Sequence, residues 1–142
     1  MRTRSLTDIL SSVILIIMIT CLGILIFLLA FPYKVIEFKS VTPLKESYKA
    51  GEVFDLEISY CKYLPLSARM TRQFIDGVIY TLPEIISGNA PSGCGTNIAK
   101  DINIPLELTP GTYYYKQTMT YKVNPIREVV VEFQTPTFEV IK

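Results

Sequence analysis

The chain has 142 residues and contains neither histidine nor tryptophan. Without histidine it lacks the side chain that titrates nearest neutral pH, the commonest general base and the commonest metal ligand. A cysteine nucleophile would have no imidazole beside it to remove its proton. There are three cysteines, at positions 21, 61 and 94, and no CxxC pair, which leaves a zinc site short of ligands. No Asp-x-Asp calcium loop and no glycine-rich phosphate cradle occurs. Asp76, Glu84 and Asp101 are the carboxylates least easily explained as solvated strand faces. Turn chemistry accounts for Asp76 next to Gly77, and nothing in the pattern brings the other two together. These absences predict a non-enzymatic protein with no metal, no cofactor and no evident small-molecule substrate. A basic excess is missing as well. Residues 32–142 carry 12 basic and 12 acidic side chains, a balance that argues against a nucleic-acid partner. No Asn-x-Ser/Thr acceptor points to a glycosylated surface.

What is present divides the chain sharply. Ile9–Phe31 is a run of 23 residues without one charge. As a helix it measures roughly 34 Å at about 1.5 Å per residue, enough to cross a hydrocarbon core of about 30 Å. Only a helix satisfies its own backbone in lipid, so the many β-branched isoleucines do not change the expectation. Pro32 ends it. The run is too long for a cleaved signal peptide, and Leu28-Leu29-Ala30-Phe31-Pro32 offers no small-x-small cleavage site. Cys21 follows Thr20 and precedes ten more apolar residues, which does not suit a lipoprotein, and Gly23 has no small partner four residues away. An uncleaved signal anchor is expected, with residues 1–8 as a short tail, residues 9–31 in the bilayer and residues 32–142 as one domain. A count of Lys and Arg near the two ends slightly favours the C-terminal side as cytoplasmic. Long domains translocate largely regardless of charge, however. The character of the domain favours a cytoplasmic N-terminus and an extracytoplasmic C-terminal domain.

After Phe31 the periodicity is two, with turn residues at close intervals. Phe54, Leu56, Ile58 and Tyr60 alternate with Asp55, Glu57, Ser59 and Cys61. Asp76-Gly77 predicts a hairpin joining Arg69–Ile75 to Val78–Leu82. Ile98–Leu108 reads as a strand with Ile102, Ile104, Leu106 and Leu108 on one face, bulged or at an edge because of Pro105. Tyr113, Tyr115, Met119, Tyr121 and Val123 share one face of a later strand. Pro136 shifts the register before Phe138 and Val140 resume it. The fold class expected is a single N-terminal transmembrane helix plus an all-β, antiparallel sandwich of about seven strands.

Leu108-Thr-Pro-Gly-Thr-Tyr113, followed by an alternating strand, resembles the approach to the sixth strand of immunoglobulin-like domains. That resemblance implies an immunoglobulin-like sandwich with Tyr113 as the tyrosine whose hydroxyl pins the corner. Gly51-Glu52-Val53-Phe54-Asp55-Leu56 is similar to the turn into the second strand of many bacterial and viral sandwich domains. The antibody pattern of two core cysteines flanking a tryptophan is missing, so the resemblance is one of architecture. The anchor-plus-sandwich plan also resembles bacterial, archaeal or phage-encoded envelope proteins.

Cys61 lies on the non-core face of its strand, and Cys94 sits in the glycine-rich stretch Ser92–Asn97, read here as a loop. An even pair in an extracytoplasmic domain is expected to bridge. The bridge would close a loop of about 34 residues and contribute roughly 3–4 kcal/mol on the chain-entropy account. Pro83–Asn97 is the longest expected loop, and Lys62, Tyr63, Arg69 and Arg72 are candidate contacts for a protein partner should they converge. The function expected is display of the domain for protein–protein interaction at the cell envelope. The alternative is an accessory or assembly subunit of a membrane complex, in either case bound to the lipid bilayer through residues 9–31.

Overall fold

The structure is a computed structural model, and it describes residues 6–88 and 90–142. Most of the expected tail, residues 1–5, and Asn89 of the long loop lie outside the described residues. Helix α1 runs over Leu6–Ala30, and none of its apolar span Ile9–Ala30 is buried against the rest of the chain. It is a candidate membrane-spanning helix near the N-terminus. Its isoleucine, leucine and phenylalanine side chains are exposed along its length, which is consistent with membrane anchoring.

Ten strands follow among the described residues: β1 (Ile36–Pro43), β2 (Ser47–Lys49), β3 (Leu56–Lys62), β4 (Ala68–Asp76), β5 (Val78–Thr81), β6 (Ile85–Ile86), β7 (Gly93–Ala99), β8 (Gly111–Asn124), β9 (Arg127–Gln134) and β10 (Phe138–Ile141). Three form one sheet in the order β1-β3-β7. The other sheet runs β2-β10-β8-β4-β5, with β6 beside β4 and β9 beside β8. Nearly every pairing is antiparallel; β2 runs parallel to β10. The count exceeds the expected seven because four strands are only two to four residues long and because the strand along one side of β8 is broken into β9 and β10. That break is at Pro136. Thr135 just before it is buried and takes the place of a ladder residue, its N–H donating to the Tyr115 carbonyl and its Oγ1 accepting from the Tyr115 N–H.

The two sheets enclose one core, because each strand's period of two delivers its apolar side chains to one face. Phe54, Leu56, Phe74, Tyr113, Tyr115, Phe138 and Val140 are all essentially inaccessible. The hairpin at Asp76-Gly77 joins β4 to β5 as expected, with Gly77 at φ +63°, a left-handed conformation that favours glycine.

Two expectations are corrected. The stretch Ser92–Asn97 is not a loop: Gly93–Ala99 is β7, paired residue for residue with β3. Glycine, serine and asparagine are poor strand formers, but an available edge on β3 and a covalent tie outweigh propensity. Conversely, Ile98–Leu108 is not one strand. Beyond Ala99 the chain makes an isolated bridge between Asn103 and Val53, backbone bonds from Phe54 to Ile102 and between Gly51 or Glu52 and Ile104, and a turn in which Leu108 N–H bonds the Pro105 carbonyl. Pro105 has no N–H to continue a ladder. Ile102, Ile104 and Leu108 still reach the core, whereas Leu106 is 78% exposed.

Candidate functional site

Cys61 and Cys94 stand directly opposite each other on β3 and β7 and are joined by a disulfide, S–S 2.05 Å. Beside them the Ser59 and Thr96 hydroxyls are 2.6 Å apart. The bridge therefore ties an edge strand to its neighbour within one sheet. Sheet edges usually carry charge, proline or a bulge that discourages pairing with another chain. Strand β1, at the opposite edge, has all three: Lys39 falls in the register shift between Phe38 and Ser40, and Pro43 closes the strand. Strand β7, Gly-Cys-Gly-Thr-Asn-Ile-Ala, has none, and its outer edge pairs with no described strand.

A second feature joins the helix to the domain. The last carbonyls of a helix lack N–H partners within it, and Pro32 cannot supply one. Here the β8–β9 hairpin supplies donors. Asn124 Nδ2 donates to the Leu28 carbonyl at 2.9 Å, and Arg127 Nη1 donates to the carbonyls of Leu29 and of Phe31, the latter at 2.7 Å. The guanidinium also lies 5.7 Å from the Tyr33 ring centroid. A cation at a helix C-terminus is favourable, and α1 has no basic residue of its own in its last turn. In sequence, Asn124-Pro-Ile-Arg127 is simply a turn. Its Asn-Pro-x-Arg composition identifies a hairpin, and nothing local reveals that the hairpin meets residues nearly a hundred positions earlier.

The four candidate contacts do not converge on one surface. Tyr63 is exposed and its hydroxyl donates to Glu37. Lys34 also bonds Glu37, and chiefly by that contact holds the carboxyl below its ordinary range. Arg69 is exposed and pairs with Glu84 at 3.2 Å. Lys62 and Arg72 are buried, at 6% and 8% exposure. Parity decides this: Lys62 shares its face with Tyr60 and Ile58, and Arg72 with Phe74 and Met70, so both face inward. That signal was already present in the sequence. Burial alone pushes the Lys62 ammonium below its ordinary value. Tyr113 is buried, and its hydroxyl donates to the Thr109 carbonyl at 2.9 Å.

No protein-family model matches this chain, and no curated protein matches it. No cluster of three or more Cys, Asp or Glu side chains suited to a metal ion occurs among the described residues.

Proposed function

We propose that the chain is a non-enzymatic, single-pass membrane protein that displays an immunoglobulin-like domain outside the cytoplasmic membrane and binds an envelope or surface protein through it. The strand order supports the finer fold: β1-β3-β7 faces β10-β8-β4-β5, as strands A, B and E face G, F, C and C′ in immunoglobulin domains. The Tyr113 bond to Thr109 supports the same reading. The observation that carries the function is the open edge of β7, seven residues without charge or proline, held in register by the disulfide. An extended segment of a partner would add there as a further strand, with main-chain bonds supplying affinity. The disulfide also suits an oxidising compartment.

The test is site-specific photocrosslinking in intact cells expressing the full chain, with the photoreactive residue at Thr96 on the open edge or at Lys39 on the protected one. A protein adduct from Thr96, lost when Ile98→Lys places a charge along the edge, is expected. Equal yields from Thr96 and Lys39 would sink strand addition. In the same cells, with Cys21→Ser, an impermeant maleimide should label Cys61 and Cys94 only after an impermeant reductant. Labelling that needs lysis would place the domain inside and end the display reading.

The bonds from Asn124 and Arg127 to the end of α1 favour a second reading, an accessory subunit of a membrane complex, because they would present helix and domain to a partner as one body. Scrambling α1 at constant hydrophobicity should abolish association for an accessory subunit and leave it intact for a displayed binder.

A further inference from the structure

The space between the sheets is not filled throughout. A cavity of about 230 Å³ lies between β3 and β7 on one side and β4 and β8 on the other. Its β8 wall, Gln117 to Tyr121, sits toward the hairpin that grips the helix end, so the cavity occupies the half of the domain next to α1. The inward positions of β7 explain the void: Gly93, Gly95, Asn97 and Ala99 reach little or no distance into the core. Gly88, Ala90 and Asn97 are exposed and rim the opening, while Met70, Met119 and Ile102 form apolar walls.

Three charged side chains line this space, and they do not balance. Arg72 Nη2 donates to the Pro83 carbonyl at 3.2 Å, and Nη1 stands 3.9 Å from Asp101, whose carboxylate is mostly in solvent. Arg72 Nε is the only buried side-chain polar atom among the described residues without a partner. Lys62 Nζ donates to the neutral Leu66 carbonyl at 2.8 Å and pairs with no described carboxylate. Gln117 is already engaged, accepting from the Tyr115 hydroxyl and donating to Met70 Sδ. Two cations against one carboxylate leave one positive charge uncompensated beside apolar walls, an arrangement that strongly favours a counter-ion.

We propose that this cavity binds a small apolar monocarboxylate, its carboxylate paired with the Arg72 guanidinium, its tail against Met70 and Met119, and Lys62 supplying the second positive charge of the wall. An engineered apolar cavity of about 150 Å³ holds benzene, so this one has room for about eight to ten non-hydrogen atoms. The free acid of a short acyl chain has that size and charge. It would come from solution, or from the bilayer as the head of a longer fatty acid whose tail leaves through the rim.

The test uses the full chain in nanodiscs of zwitterionic lipid, with the methionine methyl groups labelled for NMR, and hexanoate as the probe. Met70 and Met119 should shift saturably while Met18, in the helix, does not, and hexanol should produce no saturable shift. Lys62→Met should weaken hexanoate binding at least about tenfold, and Arg72→Gln should abolish it. Lys62→Met removes a buried charge rather than a packing group, so it keeps the proposal testable if Arg72→Gln does not fold. Oleate in the bilayer that competes with hexanoate identifies the membrane as the source; competition only by soluble short acids identifies solution. An absence of saturable shift up to about 10 mM hexanoate overturns the proposal. So do an equal response to hexanol and unweakened binding by a folded Lys62→Met variant.

Discussion

The two ends of the inter-sheet space are built on opposite principles. Away from the helix, Phe54 is the hub of an aromatic cluster, its ring centroid 4.7–5.6 Å from those of Tyr48, Phe74, Tyr115 and Phe138 in tilted and edge-on contacts. Next to the helix, the same two sheets enclose a cavity lined by methionines, an amide and two buried cations. Stability resides in the distal half and has been given up in the proximal one. Close packing and ring contacts make the distal half the cohesive one. The proximal half is left hollow because β7 turns small residues inward, and the disulfide rather than side-chain packing secures that edge.

The largest expected effect should expose this asymmetry. Phe54→Ala removes the hub and should destabilise by about 3–5 kcal/mol, whereas Met70→Ala, beside an existing void, should cost less than about 2 kcal/mol. Denaturant unfolding of the full chain, followed by near-ultraviolet tyrosine dichroism, measures both. Equal losses would erase the distinction between the two halves. Replacing Cys61 and Cys94 together by serine should cost about 3–4 kcal/mol, since the bridge closes a loop between residues 33 apart. Hydrogen exchange should then open β7 before β4 or β8.

Lys62→Met sharpens the comparison from the other side. Methionine fills similar space without a buried charge, so the variant should be about 1 kcal/mol more stable at neutral pH. The pH dependence follows from the lowered value of Lys62. The folded protein releases this proton at lower pH than the unfolded chain, so wild-type stability should rise with pH between the folded value and the unfolded value of about 10.4. That rise should vanish in Lys62→Met, and an unchanged alkaline profile would mean that the ammonium is well solvated. The smallest effect belongs to the distal surface. Lys45 bonds Glu52, which also accepts from the Lys49 N–H, and these contacts, the lysine first, hold the Glu52 carboxyl below its ordinary value. Its contribution is present above the unfolded carboxylate value and is lost as pH falls through the folded one. Lys45 is exposed and Glu52 partly exposed, and water screens the pair, so Glu52→Gln should flatten the acid limb of the stability profile only slightly.

Much of this molecule follows from local pattern. The uncharged run Ile9–Phe31 and the proline after it specify a helix fit to cross a bilayer, because hydrocarbon leaves the backbone no other partner. Alternation in Phe54–Cys61 and Tyr113–Val123 specifies strands and their buried faces. Lys62 and Arg72 were legible as inward-facing by the same parity, although their charge suggested a surface. Other features needed the tertiary structure. Only the register of β7 on β3 turns a glycine-rich stretch into a strand, brings Cys94 opposite Cys61 and leaves the space behind it empty. The grip of Asn124 and Arg127 on the carbonyls of Leu28, Leu29 and Phe31 likewise joins positions about a hundred residues apart. Periodicity reports which face of an element is apolar, and for this chain it determined the elements. Which elements meet, and whether the space between them is filled or hollow, depends on long-range pairing and on the volumes that face each other, and only the assembled sheets decided that.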